Sequence, residues 1–332
     1  MNYRLAILIP SRNEEFVSKT VQDILEHKRG PTEIIIGLDG QWADPPIPMH
    51  PDVTVLYHNK SIGQRAITKQ CARLTNAEFV AKTDAHVSFK EGFDVDMLEA
   101  FDRLPDRENV TMFPVMRNLW VFDWKCKKCG KRWYQGPTPT KCQNPDCNNT
   151  KHFYKKMMWV AKNNPQSTSF CFDSEPHFQY NNDYKKRPEY KKMLEETGLT
   201  ESMSLQGSFF MLTRKKYFEL DVDDESLGSW GSQGLSVACK TWLSGGRVLC
   251  NHKTFYAHLF RTQGGDFGFP YPNPGSKAQK AKAMARDLFF NNKWDKAIHP
   301  LSFLVERFWP VNGWNDEQLK DLKEHEKPLN SQ

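Results

Sequence analysis

The chain has 332 residues, 39% of them hydrophobic, and a formal net charge of +6; that is enough apolar material for one large α/β domain or two modest ones. No run approaches the roughly eighteen apolar residues of a membrane helix, and Leu5 to Pro10 is too short for the apolar region of a secretory leader. The charge is local: residues 125–162 hold ten Lys or Arg against one Asp, net +9, which leaves net −3 elsewhere, the pattern of one surface that meets an anion.

Leu5-Ala6-Ile7-Leu8-Ile9 is a continuous apolar run ended by Pro10, as in a central parallel strand. Residues 14–27 place Val17, Val21, Ile24 and Leu25 at helical spacing. Glu33 to Asp39 and Val53 to Tyr57 read as the next strands, and Ile67, Cys71 and Leu74 mark a helix. Glu78-Phe79-Val80-Ala81 opens a strand that ends at Asp84, and residues 94–104 form a helix with Met97, Leu98, Phe101 and Leu104 inward. Strands alternating with helices predict a Rossmann-like α/β fold, a mostly parallel twisted sheet with flanking helices.

The alternation breaks between Trp124 and about Asn164, which shows no clean period, and a polar stretch rich in Lys and Tyr runs on to Ser202. Order returns at Gln206 to Leu212, followed by a helix over 233–243 and strands over 247–250 and 254–258. Residues 262–276 form a Gly/Pro/aromatic loop long enough to act as a lid. A basic helix over 277–292 and a charged tail close the chain. The predicted organisation is a first half (1–122), an insertion (123–165), an irregular segment (166–202), a second half (203–295) carrying the lid, and a C-terminal extension (296–332).

The insertion holds Cys126-x2-Cys129 and Cys142-x4-Cys147. This is a zinc-ribbon spacing: four thiolates close the tetrahedral shell of a structural Zn²⁺, which supplies folding energy that so small a module lacks. The wider second pair leaves His152 as an alternative fourth ligand. Cys71, Cys171, Cys239 and Cys250 are scattered and read as free thiols, so the expected setting is a reducing, cytoplasmic one. Lysines and aromatics interleave around the cluster, as on surfaces that bind nucleic acid and equally on a solvated basic face.

The densest chemistry lies in Lys82-Thr83-Asp84-Ala85-His86. At a strand end, Asp84 and His86 project alike because side chains alternate with period two. They are candidate ligands of one divalent metal that neutralises a diphosphate.

Taken with Pro10-Ser11-Arg12-Asn13-Glu14 and Asp39, these residues give the chain a resemblance to GT-A glycosyltransferases, most closely to the polypeptide N-acetylgalactosaminyltransferases and related family-2-like enzymes. Gly207-Ser208-Phe209-Phe210-Met211-Leu212-Thr213-Arg214-Lys215-Lys216-Tyr217-Phe218 is similar to their Gly-Gly-x-Phe-x-Ile-x-Lys-x-Tyr-Phe segment. Trp230-Gly231-Ser232-Gln233-Gly234 is similar to their Trp-Gly-Gly-Glu-Asn, and Ala257-His258-Leu259-Phe260-Arg261 to Gly-His-Val-Phe-Arg. The resemblance covers about residues 4–120 and 203–295.

It implies that Asp84, His86 and His258 bind Mn²⁺ or Mg²⁺ beside the diphosphate of a UDP-sugar donor. Pro10, Ser11, Arg12 and Glu14 would line the nucleotide pocket, with Asp39 on the uracil or ribose and Arg65 reaching the donor. Trp230 and Gln233 would border sugar and acceptor, while Arg261 and a lid from Phe267 to Tyr271 would close over the diphosphate. Gln233 stands where inverting relatives carry an acid, and an amide cannot take the acceptor's proton. Asp224, Glu225 and Asp266 are the replacements near in sequence; the expectation is instead a retaining reaction. The basic ribbon makes a hydroxylated DNA base the favoured acceptor, as in virus-encoded DNA glycosyltransferases. Alternatives are a polypeptide Ser/Thr or an envelope glycan and, in another class, a nucleic-acid-binding protein on an inactive scaffold.

Overall fold

The computed structural model describes residues 2–261, 268–271, 273, 275–326 and 328–329. The first half comprises β1 (Leu5–Ser11), α1 (Val17–His27), β2 (Thr32–Asp39), β3 (Val53–His58), α2 (Gln64–Arg73) and β4 (Phe79–Thr83). β1 pairs in parallel with β2 and β4, and β2 with β3. Leu5 to Ile9 and Ile34 to Ile36 are at most 1% exposed because helices cover both faces, which is why these strands read as unbroken apolar runs. The order β3-β2-β1-β4 brings Ser11, Asp39 and Asp84 to one edge of the sheet, at the carboxyl ends of its strands. α1 starts at Val17 rather than Glu14; Arg12 to Phe16 form a loop in which Asn13 takes φ +55°, so Arg12 and Glu14 face the strand ends instead of joining a helix.

The chain continues through β5 (Val87–Phe89), α3 (Phe93–Asp102), β6 (Val110–Cys126), β7 (Arg132–Tyr134), β8 (Phe153–Ser167), β9 (Phe170–Phe172), β10 (Phe178–Tyr180), α4 (Pro188–Thr197), β11 (Leu199–Glu201), β12 (Phe209–Thr213), α5 (Arg214–Glu219), α6 (Gln233–Leu243), β13 (Arg247–His258), α7 (Gly275–Phe290), α8 (Leu301–Arg307) and α9 (Asp316–His325). The main sheet runs β11-β13-β6-β12-β4-β1-β2-β3. It is mixed, because β12 lies antiparallel to both β4 and β6. The direction follows from where the chain enters: Asp84 donates its backbone N–H to the Ser208 carbonyl (3.0 Å), so β12 starts at the edge where β4 ends and must run away from it.

Two sequence expectations change here. Residues 247–250 and 254–258 form one strand, β13, whose register against β6 slips between Asn251 and Phe255; the slip splits the apolar pattern in two. The aperiodic insertion is largely strand. β6 runs from the core into the cysteine cluster and β8 returns antiparallel beside it, with register irregularities near Asn118 and Val121 that scramble the two-residue period. Among the described residues, no helix is long and apolar enough to cross a membrane.

α6 starts against residues 205–207 at Gly234, where an added Cβ would lie 2.0 Å from the Leu205 carbonyl oxygen. Gly234→Ala is expected to lower stability by about 1–3 kcal/mol in urea unfolding. Unchanged stability would mean that this segment is not pressed against the helix.

Candidate active site

The strand ends surround a cleft of about 280 Å³ lined by Ser11, Arg12, Glu14, Asp39, Asp84, His86, Trp230, His258 and Arg261. Pro10 borders it as well. At its floor β4, the following turn and the end of β13 converge, because His258 pairs with Val87 two positions after Ala85. Asp84 Oδ2 lies 3.1 Å from His258 Nε2 and 4.0 Å from His86 Nε2. Its other oxygen accepts a hydrogen bond from Lys82 Nζ at 2.5 Å, and Lys82 also donates to the Gly207 carbonyl (2.8 Å). Asp84, His86 and His258 keep their donor atoms within 4.8 Å of one another.

This donor set fits a divalent cation. One carboxylate oxygen and two imidazole nitrogens suit Mn²⁺ or Mg²⁺ with room left for phosphate oxygens. His86 turns Nδ1 toward Glu14 Oε2 (3.3 Å), the outer contact that orients a ligating imidazole. His258 Nδ1 is buried without a hydrogen-bond partner. Burial raises the Asp84 carboxyl, but Lys82 and the His258 hydrogen bond outweigh it and hold it well below the usual range. Burial drives His258 down to about 4 against the pull of Asp84. At neutral pH the site thus offers a carboxylate and a neutral imidazole, as metal binding requires.

The rim is tied together. Arg261 donates to Glu14 and to the Gly268 carbonyl (2.5 Å). Burial raises the Glu14 carboxyl, yet His86 and Arg261 bring it below its ordinary value. The Arg261 guanidinium lies 4.9 Å from the Phe269 ring, Arg12 lies 4.8 Å from the Tyr271 ring, and Phe269 meets Trp230 edge-on at 5.2 Å. Asn13 donates to the Pro270 carbonyl (3.1 Å). The stretch 268–271 therefore lies across the cleft mouth; Phe267 and Asp266 lie outside the described residues.

Other predicted residues take different places. Arg65 is 1% exposed and donates to the Gly228 (2.7 Å) and Gly231 (2.5 Å) carbonyls, so it holds the Trp230 loop and does not line the cleft as expected. The carbonyls of Leu227, Gly228 and Gly231 need a buried donor, and Arg65 is the long cation beneath them. Asp39 lines the cleft, but its carboxylate already accepts from Ser61 Oγ (2.6 Å), Ile62 N (2.6 Å) and Gly63 N (3.1 Å), so it shapes the loop before α2 as well. Gln233 borders a second cavity of about 600 Å³ that meets the first at Asp84 and Trp230. Its amide donates to Asp223 Oδ1 (2.7 Å). Asp223 and Lys82 were missed by sequence reading; both are charged residues at fully buried positions, and their signal is a charge inside a strand or beside an apolar helix.

The cysteines form a second cluster. Cys126, Cys129, Cys142 and Cys147 have their sulfurs within 4.8 Å of one another, with Cys126–Cys147 at 3.8 Å and Cys129–Cys142 at 3.5 Å. Tetrahedral bonds of about 2.3 Å place sulfurs about 3.8 Å apart, so the set fits Zn²⁺. Asn149 Nδ2 donates to Cys126 Sγ (3.1 Å) as an outer contact. His152 is not part of the set; its carbonyl takes bonds from Lys127 N and Asn149.

No family model matches the chain. A stretch of 88 residues is 30% identical to the probable N-acetylgalactosaminyltransferase 6 of Caenorhabditis elegans, covering 26% of this chain and 13% of that protein. Another of 83 residues is 32% identical to polypeptide N-acetylgalactosaminyltransferase 8 of Drosophila melanogaster, covering 25% and 14%. The crystal structure of GalNAc-T7 with UDP, GalNAc and Mn²⁺ superposes with a TM-score of 0.62 over 97% of this chain and 54% of that one, at 15% identity. The matched segments thus span a small part of the curated relatives. The chain has the GT-A fold, interrupted by a four-cysteine ribbon, and it resembles the polypeptide N-acetylgalactosaminyltransferases.

His258→Asn is expected to weaken Mn²⁺ binding by at least about tenfold in calorimetry, since even outer-contact losses cost that much. The same variant carries a pH signature. Folded His258 titrates near 4 and unfolded near its ordinary 6.5, so the unfolded chain binds the extra proton between those values and stability falls as pH drops through that window. Metal-free His258→Asn should lose that component of the slope. Equal slopes and equal Mn²⁺ affinity would remove His258 from the site.

Proposed function

We propose that the protein is a metal-dependent glycosyltransferase that moves a sugar from a UDP-sugar to a hydroxyl with retention of configuration. The observation that carries this reading is the convergence of Asp84, His86 and His258 beneath a cleft at the strand carboxyl ends, where open α/β sheets bind nucleotides. Bound Mn²⁺ or Mg²⁺ supplies charge neutralisation to the diphosphate. The chain's own residues do the rest. Lys82 and His258 fix the Asp84 carboxylate; Glu14 orients His86; Ser11, Arg12 and Asp39 offer a polar wall to the nucleoside. Arg261, Phe269 and Tyr271 cover the diphosphate and exclude water.

The second cavity suits sugar and acceptor. Asp84 is the one carboxylate on its described wall. Asp223 is buried behind Gln233, and Asp224 is engaged by Ser226 N (2.9 Å) and Lys240 (3.3 Å). His177 also borders the cavity, but its ring nitrogens meet Asp173 (3.1 Å) and Lys282 (3.0 Å). Among the described residues no free base stands at this cavity, which supports a reaction in which the leaving phosphate oxygen takes the acceptor's proton and configuration is retained. Gln233, its N–H held by Asp223, presents its amide oxygen as an acceptor for a sugar hydroxyl.

For the acceptor we favour a polypeptide hydroxyl. The Drosophila melanogaster relative is named a polypeptide N-acetylgalactosaminyltransferase, and the basic ribbon contributes no described residue to the second cavity, which lends no support to a hydroxylated DNA base. The intact metal set speaks against an inactive scaffold. All eight cysteines are free of disulfides, which supports a reducing setting such as the cytoplasm.

The test is incubation with Mn²⁺ and radiolabelled UDP-GalNAc or UDP-glucose, with Ser/Thr peptides and hydroxymethyl-pyrimidine DNA offered in parallel. Label is expected in peptide, as the α-anomer by NMR. A β-linked product would end retention, and label in DNA alone would reverse the acceptor. Neither transfer nor Mn²⁺-dependent hydrolysis of any UDP-sugar would leave a binding protein.

A further inference from the structure

The ribbon supplies no group to the reaction, yet it is not a free appendage. Its returning strand, β8, touches the donor side of the active site at three points. Lys155 Nζ pairs with Glu15 at 2.9 Å. The Trp159 ring meets Phe16 at 6.0 Å. Trp159 Nε1 donates to Asp23 Oδ2 at 2.8 Å. Glu15 and Phe16 directly follow Glu14, which holds Arg261 and faces His86. Asp23, 1% exposed on α1, also accepts from Ser88 Oγ and Phe89 N, both at 2.7 Å; it thereby ties α1 to the strand that follows His86.

Trp159 reaches Asp23 at a conformational cost. Its backbone has φ +53°, a region that a bulky side chain occupies only when its surroundings over-determine it. The position falls where the β6–β8 register slips: Trp120 pairs with Val160 and Phe122 with Met157. A bulge of this kind re-aims a side chain, and here it turns the indole away from the ribbon and onto α1. Under it lies an apolar cluster separate from the main core. Phe16, Leu119, Phe122 and Trp124 meet Ala257 and Leu259, the two neighbours of His258, and Trp133, Phe153 and Trp159 pack against them. Trp133 and Phe153 also cover the cysteines. Packed side chains thus run without a break from the cysteine cluster to Phe16, two residues after Glu14, and to Ala257 and Leu259, which flank His258 in the chain.

We propose that the zinc ribbon is a brace for the donor site, with Trp159 as its positioning residue. The metal in the ribbon fixes the start of β8; β8 fixes Phe16 and Asp23; these hold Glu14, His86 and His258 in register for the Mn²⁺–nucleotide complex. The inference rests on the donor reading above.

The test is UDP affinity in the presence of Mn²⁺, by calorimetry, on the full chain. Trp159→Phe keeps an aromatic ring at the position and removes the indole N–H. It is expected to retain one zinc per chain and weaken UDP by about tenfold, the size seen when an outer contact of a metal site is lost. Stripping zinc with a thiol-reactive reagent, then reducing the thiols and restoring Mn²⁺, is expected to cause a similar loss, with little further loss in Trp159→Phe. Tyr154→Phe, on the solvent side of the same strand, should change neither zinc nor UDP binding. Unaltered UDP affinity in zinc-loaded Trp159→Phe, or in the zinc-free wild type, overturns the brace. A wild type that binds no UDP overturns the donor reading itself, and the brace with it.

Discussion

The structure depends on how one carboxylate is divided. Asp84 gives one oxygen to Lys82 and turns the other toward two imidazoles. A buried carboxylate without partners would take up a proton instead of staying charged. Lys82, itself 2% exposed, keeps it ionised and aimed while its own charge is satisfied by Asp84 and the Gly207 carbonyl. An ammonium is hard to bury alone, so each charge is tolerated because of the other. The pair also anchors the start of β12, and so the wall between donor cleft and second cavity.

Around that pair the fold acts as a gathering device. Parallel strands β1, β2 and β4 end together, so Ser11, Asp39 and Asp84 meet although they are far apart in the chain. β13 arrives from the other half and delivers His258 and Arg261 to the same edge. Arg65 then fixes the loop carrying Trp230 from beneath, and Arg261 ties the stretch 268–271 to Glu14. What looks like a set of catalytic candidates therefore separates into groups that line the cleft and groups that hold those groups still. Arg65, Asp223 and Lys82 belong to the second kind, and so in part does Asp39.

The first half was legible because β1, β2 and β4 are buried on both faces and its helices carry a regular apolar stripe. Asp84 and His86 were legible as a candidate pair because side chains two apart at a strand end point the same way, and the resemblance gave the pair its expected role. His258 depended on resemblance, since nothing local marks a histidine at the end of a strand as a ligand. The ribbon's cysteines were plain from spacing, but its strands were not: bulges break the alternation on which strand reading relies. Arg65 was misplaced for a related reason. A long cation close in sequence to the strand ends invites a ligand role, and the carbonyls that claim it come from residues 228 and 231, far along the chain.

The central claim is that Asp84, His86 and His258 hold one cation against a nucleotide diphosphate. Pulsed electron paramagnetic resonance of Mn²⁺ bound to the protein with UDP measures this directly, because nuclei bonded to the ion imprint their couplings on its spectrum. The account predicts nitrogen couplings from two imidazoles together with phosphorus coupling from the nucleotide. A spectrum with phosphorus but no imidazole nitrogen, or with nitrogen from a single ring, would contradict it.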